Sequence, residues 1–405
     1  MQQAAAATGL DEQLIAQMKR DMDYWYPVDL RSSGKDLVPN HLLFFLFHHV
    51  AIFEEKKWPR ALAVNGFVSL EGQKMSKSKG PLLTLKNAVD EYGADISRMY
   101  ILSSAEQTQD ADWRNSGVEA AKKQVERFYS FAGEIIESGA VCGMCGELKL
   151  IDRWMLSRLQ HRIRETNNDM RSLRTRSALQ NAFFLLLNDI KWYQKRGGSN
   201  LLYDMLDTWV RLMAPFMPHV CEEIWQALGH EGNDIVSLAH YPIFDPELLN
   251  NNAELAEELV DNTLADIEEI LKVTKMTPQK IVLYTSAAWK TKAFRMALKM
   301  QSEGTLNPGV LIKALMAEPA NRAYGKEIPK FVQKIVPDIS SMKLERLEIF
   351  DGYELEELAI LRENQQFFEK EFSCTVEVYS ADEPGYDPEN KSRFAVPMRP
   401  AIYLE

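Results

Sequence analysis

The stretch that most limits the possible folds lies between Tyr24 and Asp112. Short extended runs alternate there with helical patterns, and two of the runs stop on glycine. Tyr26-Pro27-Val28-Asp29-Leu30-Arg31 leads into Ser32-Ser33-Gly34, and Ala61 to Val64 leads into Asn65-Gly66. Between them His41 to Phe53 reads as a strongly apolar helix, preceded by Pro39-Asn40. A strand, a helix and a second strand in this order read as a crossover unit, which pairs the strands in parallel. The sequence therefore predicts an α/β region with a parallel sheet. Gly72 to Pro81 reads as a polar loop, and Thr84 and Asp95 read as two helix starts separated by a stop at Gly93.

The pattern then changes. From Val118 to Leu228 it is helical throughout: Trp154, Leu156, Leu159 and Ile163 recur at helix spacing, as do Leu179, Phe183, Leu186 and Ile190. A helix bundle is expected here. A loop-type linker follows at His240 to Asp245. Beyond it, Leu255 to Leu271 is an acidic amphipathic helix, Lys280 to Tyr284 a strand, and Tyr353 to Glu371 the last helix. Thr375 to Tyr379 and Ala401 to Leu404 are again strand-like, so the final part is expected to be a small α+β domain. These readings divide the chain into 1–115, 116–245 and 246–405.

Composition adds limits. No run of 18 apolar residues occurs, so no membrane span is expected. Four cysteines in 405 residues, without a regular framework and without a secretory start, suit a reducing cytoplasm. Cys142-Gly143-Met144-Cys145 has the spacing of half a zinc site, but no second pair exists, and no structural metal is expected. The net charge of −11 disfavours a protein that coats nucleic acid, yet charge is segregated. From Ile151 to Arg176 seven arginines, among them Arg153, Arg158 and Arg162, face three acids; Asp245 to Leu271 holds nine acids and no Lys or Arg. An RNA-binding face is expected in the middle of the chain, the alternative being two solvated helices of opposite sign.

The sharpest chemical signal is Lys74-Met75-Ser76-Lys77-Ser78-Lys79-Gly80. Lysines supply compact charge and serines supply hydrogen bonds, in a loop bounded by Gly72 and Gly80, which suits a clamp for polyphosphate. A merely solvated basic loop has the same composition. Gly34-Lys35-Asp36 stands after the first strand, where glycine permits close approach and aspartate can accept from ribose hydroxyls; Asp36 could equally cap a helix. Asn65-Gly66 ends the second strand and alone would read as a turn. Each site suits part of one nucleotide.

Together these residues resemble one family. Lys74-Met75-Ser76-Lys77-Ser78 is identical to the second signature of class I aminoacyl-tRNA synthetases. The stretches from Tyr24 to Leu42, Ala63 to Phe67, Gly72 to Gly80, Asp112 to Arg114, Asp152 to Leu156, Arg211 to His219 and Pro400 to Glu405 resemble leucyl-tRNA synthetases of the archaeal/eukaryotic type. The resemblance implies the second half of a Rossmann-like class I catalytic domain, followed by an anticodon-binding-type bundle and a small tRNA-contacting domain. It implies ATP as substrate, with Mg2+, together with leucine and tRNA(Leu). Lys74 and Lys77 would stabilise the α-phosphate transition state and pyrophosphate, within a loop that also includes Met75, Ser76 and Ser78. Gly34 and Asp36 would hold the ribose, and Asn65-Gly66 would approach the adenine. Arg153, Arg158 and Arg162 in the bundle, and Ile402, Tyr403 and Glu405 at the end, are the expected tRNA contacts.

The family's first signature, His-x-Gly-His, is absent; His230-Glu231-Gly232-Asn233 lacks the final histidine. The chain is accordingly expected to need an N-terminal half, as one subunit of a split enzyme or as a fragment, before it can form an adenylate. Two alternatives remain open: a valyl-, isoleucyl- or methionyl-type fragment, and a non-catalytic tRNA-binding or assembly module.

Overall fold

The computed structural model describes the whole chain except Met1 and residues 76–79, 140–145, 231, 233 and 351–354. In chain order the helices and strands are α1 (Gln2–Thr8), α2 (Glu12–Trp25), β1 (Arg31–Gly34), α3 (Leu43–Ile52), β2 (Leu62–Asn65), β3 (Val68–Leu70), β4 (Gln73–Lys74), α4 (Leu85–Tyr92), α5 (Ala94–Ser104), β5 (Ala111–Trp113) and α6 (Asn115–Glu137). There follow α7 (Leu150–Arg171), α8 (Thr175–Leu179), α9 (Leu186–Lys195), α10 (Leu202–Met213), α11 (Pro218–Ala227) and α12 (Asn251–Thr274). The last part comprises β6 (Lys280–Thr285), α13 (Ala288–Ser302), α14 (Pro308–Met316), α15 (Ile328–Ser340), α16 (Leu344–Ile349), α17 (Glu357–Glu363), α18 (Gln365–Phe372), β7 (Thr375–Ser380) and β8 (Ala401–Leu404).

Two compact units emerge. The first consists of residues 1–143, 161–188 and 201–244, the second of 144–160, 189–200 and 245–405.

In the first unit β1 and β2 pair in parallel, Gly34 opposite Asn65, as the strand–helix–strand reading requires. The first strand begins only at Arg31, later than expected, because Ala61 and Val28 meet the chain through single hydrogen bonds before the ladder starts. The helix behind it is shorter too: Val38–Leu42 forms a π-helical turn, and α3 proper starts at Leu43. A second sheet has the order β4-β3-β5, antiparallel on one side and parallel on the other. Part of the expected polar loop is thus a hairpin, closed by Glu71 and Gly72, both at positive φ (50° and 75°). Two consecutive residues at positive φ match the twist of the flanking strands. Thr84 caps α4 through the Asn87 N–H, and Gly93 (φ 85°) separates α4 from α5 as read from the sequence.

The helical part of this unit packs on a buried aromatic group. Phe128 of α6 lies edge-on to Trp209 of α10 (4.7 Å) and Phe183 (5.8 Å). Residues Gln180–Leu185 form a π-helical segment, which leaves carbonyls free for side chains. The Ala182 carbonyl accepts the Trp209 indole N–H at 2.9 Å. Burial of such large rings dominates core energetics.

In contrast, α2 and α3 expose apolar side chains. Tyr24, Trp25, Phe44, Phe47, Val50 and Ile52 are all more than half exposed. Both β1 and β2 have an unpaired edge among the described residues. Parallel strands normally lie buried on both faces within larger sheets, so this pair has the character of part of a larger sheet.

The second unit has a three-stranded sheet of order β7-β6-β8, with β6 parallel to β7 and antiparallel to β8. Ile281, Leu283, Val376 and Val378 point into a core built with α12, α13, α15 and α18. The expected final helix is two, α17 and α18, meeting at Asn364. The acidic helix α12 is not a solvated face throughout, since Glu254 and Glu257 are buried. Glu257 accepts the Arg196 guanidinium at 2.8 Å and the Trp192 indole N–H at 3.0 Å, and Glu254 accepts the Ser157 hydroxyl.

Candidate functional site

The ends of β1 and β2 form the floor of the site. Their parallel register sets Gly34 beside Asn65, so two of the expected strand-end positions are neighbours at the carboxyl end of one sheet. That is where open α/β sheets bind ligands. Asp36 follows in a tight turn and is exposed; no side-chain cap closes that turn, so it does not act as a helix cap. The Asp36 carboxyl folds back over Gly34, where a Cβ would stand 2.6 Å from Asp36 Oδ1.

Gly66 is constrained harder. A Cβ there would stand 2.0 Å from the Gln109 carbonyl oxygen, a backbone atom. The Gly66 N–H donates to Gln107 O (2.9 Å) and the Phe67 N–H to Asp110 Oδ1 (2.8 Å). The second strand is thereby sewn to residues 107–111. Between them a cavity of about 340 Å3 is lined by residues that include Ser32, Ala63, Asn65, Phe67 and Glu106.

Phe67 gathers the cations. The Lys35 and Lys74 ammonium groups each lie 5.4 Å from its ring centroid, within cation–π range. Lys35 also pairs with Asp110 (2.6 Å), and that lysine, with the Phe67 N–H, holds the Asp110 carboxyl below the usual carboxylate range. Lys74 is exposed on β4, and Met75 follows it half-buried. Ser76, Lys77 and Ser78 lie outside the described residues, as do Cys142 and Cys145.

The structure thus brings Gly34, Asn65, Gly66 and Lys74 to one region and adds Lys35 and Phe67. Sequence reasoning passed over those two, although Lys35 stands inside the Gly34–Asp36 tripeptide and Phe67 follows Gly66. It also passed over Asp110 and Asp112 as site residues. Asp112 is held near pKa 2 by the Gly72 N–H, the Ser69 hydroxyl and the Arg114 guanidinium. Two lysines, Lys35 and Lys74, thus stand over one aromatic ring beside a closely approached strand end, and lysine ammonium groups suit phosphate as compact charges. Among the described residues no group of three His, Cys, Asp or Glu side chains could hold a metal ion.

Arg153 is exposed on α7, whereas Arg158 is half-buried, with Asp189 at 3.3 Å and Glu254 at 3.9 Å. Arg162 is half-buried. Ile402 and Tyr403 lie in β8, and Glu405 just beyond accepts the Tyr386 hydroxyl at 3.1 Å. Among the described residues no helix is long and apolar enough to cross a membrane.

The chain matches the family model "tRNA synthetases class I (M)" over residues 16–125 and "Anticodon-binding domain of tRNA ligase" over 152–283. It is 62% identical over its whole length to a leucine–tRNA ligase of Methanococcoides burtonii, of which it covers 42%. It is 64% identical over 99% of its length to that of Methanosarcina acetivorans, again 42% of the relative, and 41% identical over 98% to that of Pyrococcus abyssi, 40% of the relative. The chain therefore spans about two fifths of the length of the curated relatives it matches. A crystal structure of a ternary complex of Agrobacterium radiobacter K84 agnB2 LeuRS with tRNA and LeuAMS aligns with 55% of this chain and 29% of that one, at 25% identity and a TM-score of 0.48.

Proposed function

We propose, from the premise that this chain is homologous over its whole length to the C-terminal part of archaeal leucine–tRNA ligases, that it supplies the adenylate-stabilising lysines and the tRNA-binding domains of such an enzyme. The reaction is ATP + leucine + tRNA(Leu) to leucyl-tRNA, AMP and pyrophosphate. The observation that carries the reading is the convergence of Gly34, Asn65-Gly66 and Lys74 at the carboxyl ends of paired parallel strands. The level of identity favours leucine over the other class I substrates, although the matched catalytic family model is of the (M) type.

In this reading the ribose sits over Gly34 and Asp36, with the adenine beyond Asn65 and Gly66. Lys74 and Lys35 face the phosphates, and Lys77 joins them on the strength of the sequence signature. Their charge is worth most as negative charge moves onto the α-phosphate oxygens and the departing pyrophosphate. Mg2+ would travel with ATP. The bundle grips the tRNA body, with Arg153, Arg158 and Arg162 as phosphate contacts; Asp189 and Glu254 stand beside Arg158. Ile402, Tyr403 and Glu405 meet the tRNA at the far end of the chain. The three-part division at 115 and 245 and a cytoplasmic setting belong to the same reading.

The missing first signature lies in an N-terminal half, as a separate subunit or as the rest of a longer chain. The exposed apolar face of α2 and α3 and the open edges of β1 and β2 support this, because they suit docking of further parallel strands. The test mixes the purified chain with the N-terminal half of an archaeal leucine–tRNA ligase and measures leucine-dependent pyrophosphate exchange. Activity is expected only in the mixture, with a loss of at least about tenfold in Lys77→Ala or Lys74→Ala. A stable complex without exchange would favour a non-catalytic tRNA-binding module.

A further inference from the structure

The hairpin that presents Lys74 is not held by its own two strands alone. β4 has only two residues, and Lys74 pairs across the ladder with Ser69. The Ser69 hydroxyl donates to Asp112 Oδ1 at 2.7 Å, and the Gly72 N–H, in the hairpin turn, donates to the same oxygen at 2.8 Å. The other oxygen, Oδ2, accepts Arg114 Nε at 2.6 Å. One carboxylate thus holds the strand residue opposite Lys74 and the turn just before it.

A second brace runs the other way. The Glu71 N–H donates to Trp113 O at 2.9 Å, and Glu71 Oε1 accepts the N–H of Asn115, the first residue of α6, at 2.8 Å. A carboxylate at a helix N-terminus is favourable in itself, and here it also steadies Glu71 in a left-handed conformation that non-glycine residues seldom adopt. Asp112 is fixed in turn by α5: the Tyr100 hydroxyl donates to Asp112 O at 2.8 Å and accepts the Arg114 N–H at 3.0 Å. Gly117 admits that ring, since a Cβ there would stand 2.6 Å from Tyr100 Cε2.

We infer that Asp112 is a positioning residue for Lys74: it fixes the hairpin against the β5–α6 junction so that the ammonium group stands where phosphate charge develops. This rests on the adenylate-forming role proposed above. Asp112 touches no reacting atom. Its substitution should therefore lower kcat rather than leucine binding, and should do so only while Lys74 is there to be positioned.

The experiment is a double-mutant cycle in the full chain mixed with the complementary N-terminal half, followed by pyrophosphate exchange. Asp112→Asn keeps the shape but turns one acceptor oxygen into a donor, facing either Arg114 or Gly72 and Ser69. A fall in kcat of about tenfold or more is expected, with KM for leucine unchanged within about twofold and thermal unfolding within a few degrees of wild type. In the Lys74→Ala background the same substitution should change kcat by less than about threefold. Ser69→Ala, a milder loosening of the same carboxylate, should lower kcat in the same direction and carries the test if Asp112→Asn does not fold. An active wild-type mixture with intact kcat in Asp112→Asn and Ser69→Ala, or with multiplicative losses in the double variant, overturns the positioning role alone. A silent wild-type mixture overturns the adenylate-forming role and this inference with it.

Discussion

Substituting Gly66→Ala puts the tightest junction of the first unit under test. The added methyl carbon would lie 2.0 Å from Gln109 O, 2.4 Å from Gln109 C and 2.8 Å from Asp110 Oδ1. Ordinary contact begins near 3.4 Å, so the two backbone segments must separate by more than 1 Å. That movement breaks the Gly66–Gln107 and Phe67–Asp110 hydrogen bonds and strains the Ala111 N–H to Phe67 O bond, 2.8 Å at rest. At roughly 1 kcal/mol net for each bond lost, the cost is about 2–3 kcal/mol, within the usual range for overpacking. For a unit of this size about 2–4 °C accompanies each kcal/mol, so the midpoint of its thermal transition should fall by about 5–10 °C. Differential scanning calorimetry of the full chain reads this directly. Gly133→Ala is the control: it lies in α6 with no atom within 4 Å of the new carbon, and should be neutral or stabilising by about 0.5–1 kcal/mol. A Gly66→Ala chain that melts within about 1 °C of wild type would refute the packing argument and leave ligand approach as the reason for glycine there.

Further outcomes follow from the same geometry. Arg196→Met should cost about 3–5 kcal/mol in urea unfolding, because it strands Glu257 in the second unit's core. The double variant Arg196→Met/Glu257→Leu should recover most of that loss, and a double variant as weak as the single would count against it. The Asp112 carboxyl, held near pKa 2, contributes its hydrogen bonds fully above its ordinary value of 3.8 and loses them as the pH falls through about 2. The Gly72 amide resonance should therefore titrate with a midpoint near 2, and a midpoint near 4 would show the carboxylate to be disengaged.

The strand–helix–strand unit was legible because glycine punctuated both strands and an apolar helix lay between. β5 was not: Ala111-Asp112-Trp113 is too short to show a period, and its strand character comes from pairing with residues 68–70. The β3–β4 hairpin escaped for a related reason. Glu71-Gly72 is a weak turn signal, and the conformation of Glu71 is supported by Asn115, a partner no local pattern reveals. At the candidate site, Gly34, Asn65 and Lys74 could be found because each belongs to a motif with local chemistry. Asp112 acts through Ser69 and Gly72, far away in sequence, so only its likeness to a family stretch marked it. Arg158 shows the opposite case: its charge is plain in the sequence, but its acidic neighbours, Asp189 and Glu254, are distant along the chain.

The exposed side chains of α2 and α3 bear on the life of the molecule in a cell. Phe44 and Phe47 are more than 60% exposed, beside Val50 and Ile52 on the same short helix. Solvent-facing aromatic clusters are what chaperones hold and quality-control proteases select. Copies whose face stays uncovered should be removed faster than covered ones, so abundance would follow coverage of that face more closely than the rate of synthesis. A pulse–chase comparison with Phe44→Ser/Phe47→Ser, expected to be longer-lived when expressed alone, would measure how strongly that selection acts.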